Sequence, residues 1–87
     1  MTKAEKMFLE SGYRKIFESY NKIIYKSVLS ETKIVFHNNH RYVGIEKGKI
    51  YAVINTGEVM ISLNILKAIE EQIKELGWDK GDDKEWI

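Results

Sequence analysis

Apolar residues recur along this chain in different rhythms, and each change of rhythm marks a new element. At the start, Ala4, Met7, Phe8 and Ser11 share one face at helical spacing. Thr2-Lys3-Ala4-Glu5 is a capping-box pattern, in which the Thr2 hydroxyl accepts from the Glu5 amide. Gly12 supplies the left-handed residue that stops the helix, so the spacing predicts a helix over residues 3–11. A helix this short is marginal on its own and must lay Met7 and Phe8 on another element.

From residue 13 the rhythm shortens to segments rich in Ile, Val, Tyr and Phe, separated by polar turn residues. Strands are predicted over 13–19, 22–28, 32–37, 42–46 and 49–54, joined at Tyr20-Asn21, at 29–31, at 38–41 and at Lys47-Gly48. Connections so short cannot hold parallel crossovers, so the sheet is antiparallel. A turn centred on Gly57 follows, with a short extended stretch at 59–61. Ser62 then caps a second helix, with Ile65, Leu66, Ile69, Ile73 and Leu76 on one face and Gly77 at its end. The predicted fold is α+β: an N-terminal helix, an antiparallel meander of four to five strands, and a C-terminal helix packed on the same sheet face. Residues 1–78 form one domain, and residues 79–87 read as an acidic, flexible tail.

Composition narrows the function classes. With 87 residues the chain has room for one core. A domain of that size buries only about 60% of its unfolded surface, which leaves little scaffold for a deep catalytic cleft. No apolar run approaches the roughly 20 residues of a membrane helix. The first ten residues have no apolar core of the secretory type, and there is no cysteine. The expectation is a cytoplasmic protein, not associated with membrane. Net charge is +1, but its distribution is uneven. Residues 1–53 carry ten Lys and Arg against five Glu, a balance of 10 − 5 = +5, and residues 54–87 carry four Lys against eight Asp and Glu, 4 − 8 = −4.

Candidate chemistry is thin. His37 and His40 form an H-x-x-H in a predicted hairpin turn, yet zinc takes three or four protein ligands and no nearby Cys, Asp or Glu completes the set. Asp79, Asp82, Asp83 and Glu85 lack the ligand spacing of a calcium loop. No serine stands in a nucleophile elbow, and no phosphate-binding glycine motif occurs. No cofactor, metal or catalytic residue is expected, and the chain reads as a non-enzyme.

The sheet is more informative. If Ile16, Ile34, Phe36, Ile50, Ala52 and Ile54 face the helices, alternation puts Val35, Tyr51 and Val53 on the other side alongside Tyr25 or Ile24. In either register both faces hold apolar or aromatic residues, whereas a sheet with one solvated face alternates more cleanly. The second face is therefore a candidate interface, for another protein or for a second copy of this chain. Its predicted contact residues are Tyr25, Val35, Arg41, Tyr42, Tyr51 and Val53, joined by Trp86 of the tail, with the acidic C-terminal half supplying charge complementarity. The five tyrosines also share the meander with Arg14, Lys15, Lys22, Lys26, Lys33, Arg41, Lys47 and Lys49, which is the make-up of a surface for nucleic acid or a nucleotide. Near-neutral total charge makes nucleic acid the weaker of the two readings.

Met1-Thr2-Lys3-Ala4-Glu5-Lys6-Met7-Phe8, Gly12-Tyr13 followed by Lys15-Ile16 and Glu18-Ser19, Ile24-Tyr25, and Leu66-Lys67-Ala68-Ile69 running to Glu75-Leu76-Gly77-Trp78 form a pattern across residues 1–78. It resembles that of small proteins of phages and prophages of Firmicutes. The shared positions are helix caps and core residues, so the resemblance implies a genomic context and no catalytic residues. A phage accessory protein of this kind is expected to bind and inhibit or modulate a host protein, with anti-phage defence as one concrete target. The chain departs from the pattern in continuing past Gly77-Trp78 into its acidic tail.

Overall fold

The computed structural model describes residues 1–48 and 59–80. In chain order these form α1 (Lys3–Glu10), β1 (Tyr13–Ser19), β2 (Lys22–Ser27), β3 (Lys33–His37), β4 (Tyr42–Glu46), α2 (Leu63–Glu75) and a 3-10 turn at Trp78–Lys80. The four strands make an antiparallel meander in the order β1-β2-β3-β4. The predicted α+β architecture is the one observed. The fifth strand predicted over 49–54 lies outside the described residues, and residues 59–62 join no strand.

Local chemistry accounts for the element ends. The Thr2 hydroxyl accepts from the Glu5 N–H at 3.2 Å, and the Ser62 hydroxyl from the Ile65 N–H at 3.2 Å, so each helix begins on a side-chain cap. Gly12 (φ 85°) and Gly77 (φ 77°) follow the two helices in the left-handed region that glycine enters without a Cβ penalty. The helices run antiparallel and are tied end to end: the carboxylate of Glu75, late in α2, accepts from the Ala4 N–H in the first turn of α1 at 2.8 Å. That contact satisfies an amide left open by the helix start and sets a negative charge at the positive end of the α1 dipole.

The core lies between the helices and one sheet face. Phe8 of α1 stacks on Tyr25 of β2 with centroids 3.8 Å apart and meets Phe36 of β3 edge-on at 6.1 Å. Ile23, Ile34, Ile65, Ala68 and Tyr13 complete the buried cluster, with Ile69, Ile73 and Trp78 packed against it. Tyr25 is thus a core residue and not part of the second face, which corrects the expectation from its sequence. Its hydroxyl, with no exposed surface, donates to Gln72 Oε1 of α2 at 2.6 Å and pins the sheet to the second helix. Burial first, then the nearby carboxylates of Glu5, Glu75 and Glu18, raises the Tyr25 pKa well above that of free tyrosine.

Asn38 holds the far end of the sheet. Its Nδ2 donates to the Tyr20 carbonyl at 2.9 Å, its Oδ1 accepts from the Trp78 indole N–H at 2.6 Å, and its own N–H donates to the Asn21 carbonyl. One side chain therefore joins both hairpin tips to the turn after α2. The boundary predicted at residue 78 falls at the start of that 3-10 turn, and residues 81–87 lie outside the described residues.

Candidate binding surface

Strand register sorts the face away from the helices into three rows. Tyr13, Tyr25, Ile34 and Phe36 point into the core, so their neighbours along each strand point the other way. The first row is Arg14, Lys26, Lys33 and Glu46, opposite one another on β1 to β4. The second row is Phe17, Ile24, Val35 and Gly44, and the third is Ser19, Lys22, His37 and Tyr42. An apolar row thus runs between a cationic row and a polar row carrying an aromatic pair.

The presence of Phe17 in the apolar row depends on an irregularity. Between Lys15 and Phe17 the β1–β2 register shifts by one residue, and Ile16 is the extra residue of a bulge. Without that shift Phe17 would face the helices and Ile16 the open side. Ile16 was expected to face the helices; instead it is about half exposed at the bulge (49%), and Phe17 is exposed to the same degree (48%) on the second face. Two apolar residues side by side between Lys15 and Glu18 break the period of two, and that break was the available signal.

The other predicted contact residues separate. Val35 does face away from the helices but is only 1% exposed, so it underlies the surface and cannot be an anchor. Tyr42 is half exposed, with one ring face covered by His37 (centroids 4.4 Å, 24° between planes) and His40 at 6.0 Å. Arg41 is exposed at the β3–β4 hairpin tip, with φ 54°, a left-handed conformation that costs a non-glycine residue about 1–2 kcal/mol. Tyr51, Val53 and Trp86 lie outside the described residues.

The cationic row is electrostatically uneconomical. Arg14 lies directly opposite Lys26, and Lys26 directly opposite Lys33. Like charges so placed oppose folding by about 0.2–1 kcal/mol per pair. Lys26 is partly accommodated, since its Nζ approaches Glu31 at 3.6 Å and donates to the carbonyls of Ser27 and Ser30. The side chains of Arg14 and Lys33 have no hydrogen-bond or ion-pair partner among the described residues, and Glu46 stands opposite Lys33 without an ion pair.

The helix side carries a different kind of site. A cleft of about 350 Å³ opens between the ends of α1 and α2 and is lined by Thr2, Lys15, Glu18, Ile23, Gln72 and Glu75. Its charges pair internally: Lys15 is held by Glu18 and, at 3.1 Å, by Glu5, and these contacts raise the Lys15 pKa. Glu75 is engaged by the Ala4 N–H. The cleft therefore fastens α1 to β1 and offers no free acid, base or nucleophile in a reactive grouping. Among the described residues no three His, Cys, Asp or Glu side chains are grouped to hold a metal ion, His37 and His40 included. No described helix is long and apolar enough to cross a membrane.

Compared with known protein families, with curated proteins and with solved structures, the chain matches none.

Proposed function

We propose that this chain is a non-catalytic binding protein of phage or prophage type that attaches to a bacterial host protein and inhibits or modulates it, a component of anti-phage defence being one concrete target. The contact surface is the sheet face away from the helices. One observation carries this reading: an apolar row containing exposed Phe17 and half-buried Ile24 is flanked by charged and polar rows on strands that no described helix covers. An apolar centre with a polar rim is the anatomy of a protein interface.

The rival reading, a nucleic-acid or nucleotide binder, shares the cationic row and loses its stacking platform. Tyr13 and Tyr25 are in the core, Tyr20 is at a hairpin tip, and Tyr42 already has a ring face occupied by His37. Base stacking needs free aromatic faces beside the phosphate contacts, and Phe17 is the one exposed ring that the described face offers beside the cationic row.

The test is affinity capture of the tagged protein from a Firmicutes host lysate at physiological salt with nuclease, comparing wild type with Phe17→Ser and Leu66→Ser. Leu66 is about half exposed on α2, so it controls for lost surface hydrophobicity. A stoichiometric host protein retained by wild type and Leu66→Ser but not by Phe17→Ser supports the proposal. Equal capture by all three, recovery only of nuclease-sensitive material, or self-association alone refutes it.

A further inference from the structure

We infer that the segment of the partner received by this face is an acidic, apolar-alternating stretch of polypeptide, its carboxylates on Arg14 and Lys33 and its apolar side chains on Phe17 and Ile24. This deepens the proposed function and rests on it. Three observations lead there, and the first is position. Lysine on a strand is commonly a guard against edge-to-edge pairing, but β2 and β3 are the central strands of the sheet, so Lys26 and Lys33 protect no edge. Lys26 is partly offset by Glu31 and two carbonyls, but Lys33 has no side-chain partner among the described residues.

The second observation is charge. Among the described residues Arg14, Lys22, Lys26 and Lys33 on this face stand against the carboxylates of Glu46 and of Glu31, which reaches Lys26, while the helix side holds Glu5, Glu18, Glu71 and Glu75. A chain of net charge +1 thus presents one locally cationic face, which selects an anionic partner at short range without a strong long-range field. The third is spacing. The cationic and apolar rows are two residues apart along β2 and β3, about 7 Å at the rise of a strand. Alternate residues of an extended polypeptide lie on one side at that same interval, so an acid at one position and an apolar residue two further on reach both rows together. Nucleic acid would find one exposed ring in the apolar row, Phe17, beside aliphatic Ile24, so the oligothymidylate control is part of the test.

The inference is tested with a labelled dodecapeptide in which Asp and Leu alternate at every second position with Ser between. Controls are the same peptide with Lys in place of Asp, and an oligothymidylate of similar length. Binding is read by fluorescence anisotropy and by amide chemical shifts of the full chain, for wild type and for the double variant Arg14→Glu, Lys33→Glu. The expected result is binding of the Asp peptide, shifts centred on Arg14, Phe17, Ile24 and Lys33, and affinity at least about tenfold weaker in the double variant. The variant also melts at higher temperature than wild type, because the two like-charge pairs at Lys26 become opposite-charge pairs while only the pair with Glu46 becomes like-charged. That rise separates lost binding from lost folding.

Tighter binding of oligothymidylate, with steep weakening by salt, overturns the inference in favour of nucleic acid. Failure of the Asp peptide to bind, or binding that the double variant leaves unchanged, overturns the acidic segment alone, since capture that depends on Phe17 still upholds the broader proposal. Shifts centred on α1 and α2 overturn both.

Discussion

The single hydrogen bond from Tyr25 to Gln72 is the most exacting test of how this fold is held. Removing the hydroxyl in Tyr25→Phe keeps the stack on Phe8 and leaves Gln72 Oε1 without its 2.6 Å donor. An orphaned buried polar group costs about 1–3 kcal/mol. Gln72 is 5% exposed at the edge of the cleft beside Glu75, so Tyr25→Phe costs about 1–3 kcal/mol, less where a water can enter from the cleft to replace the donor. Gln72→Met orphans the tyrosine hydroxyl instead. Tyr25 has no exposed surface, so this change costs about 2–3 kcal/mol. Together the two changes leave no orphan and cost less than Gln72→Met alone. For a domain of this length 1 kcal/mol is about 4–8 °C in melting temperature, so thermal and urea unfolding followed by circular dichroism resolves all three variants. Losses that add to within about 0.5 kcal/mol would refute the account of a coupled pair bridging sheet and helix.

Other outcomes follow from the same geometry. The folded-state pKa values of Tyr25, Tyr13 and Lys15 are all raised, Tyr25 and Tyr13 chiefly by burial and Lys15 chiefly by Glu18. The stability they contribute is therefore fully present below the unfolded values of 10.0 for tyrosine and 10.5 for lysine and is lost as pH rises through the folded ones. Urea melts as a function of pH should show a decline beginning near pH 10 that is shallower in Tyr25→Phe; a decline of equal steepness contradicts the burial of that hydroxyl. Asn38→Ala removes the bonds to Tyr20 and Trp78 and should lower stability by about 1–3 kcal/mol, with Trp78 fluorescence shifting to the red as the indole undocks. In Gly48→Ala the added methyl would meet Glu31, lying 2.9 Å from its carbonyl oxygen and against its Cβ. Calorimetry should show a loss of about 1–3 kcal/mol, and an unchanged melting temperature would mean that Gly48 does not pack on Glu31.

Much of this fold was legible because its local signals agree. Thr2, Ser62, Gly12 and Gly77 mark helix ends by chemistry that needs no tertiary information, and the short turns at Tyr20-Asn21 and 38–41 force antiparallel pairing. The facing of side chains was harder to read, because alternation fixes which residues share a face but not which face is covered. Tyr25 was assigned to the open side, yet it sits under Phe8, whose side chain reaches from α1 over β2, a long-range contact no window of sequence contains. Phe17 was not singled out, although alternation from an inward Ile16 already puts it on the open side; the bulge at Ile16 lets it reach that side while Tyr13 and Lys15 face the helices. The cationic row could not be read either: Arg14, Lys26 and Lys33 are 12 and 7 residues apart in sequence and become neighbours only through register.

The most direct test of the central claim, that the sheet face away from the helices is the contact surface, is site-specific photocrosslinking with benzoylphenylalanine at position 17 and, separately, at position 66, in nuclease-treated Firmicutes extract. The account predicts one discrete protein adduct from position 17, weakened when Arg14→Glu and Lys33→Glu are also present, and none from position 66. A discrete adduct from position 66 with none from position 17 would contradict it.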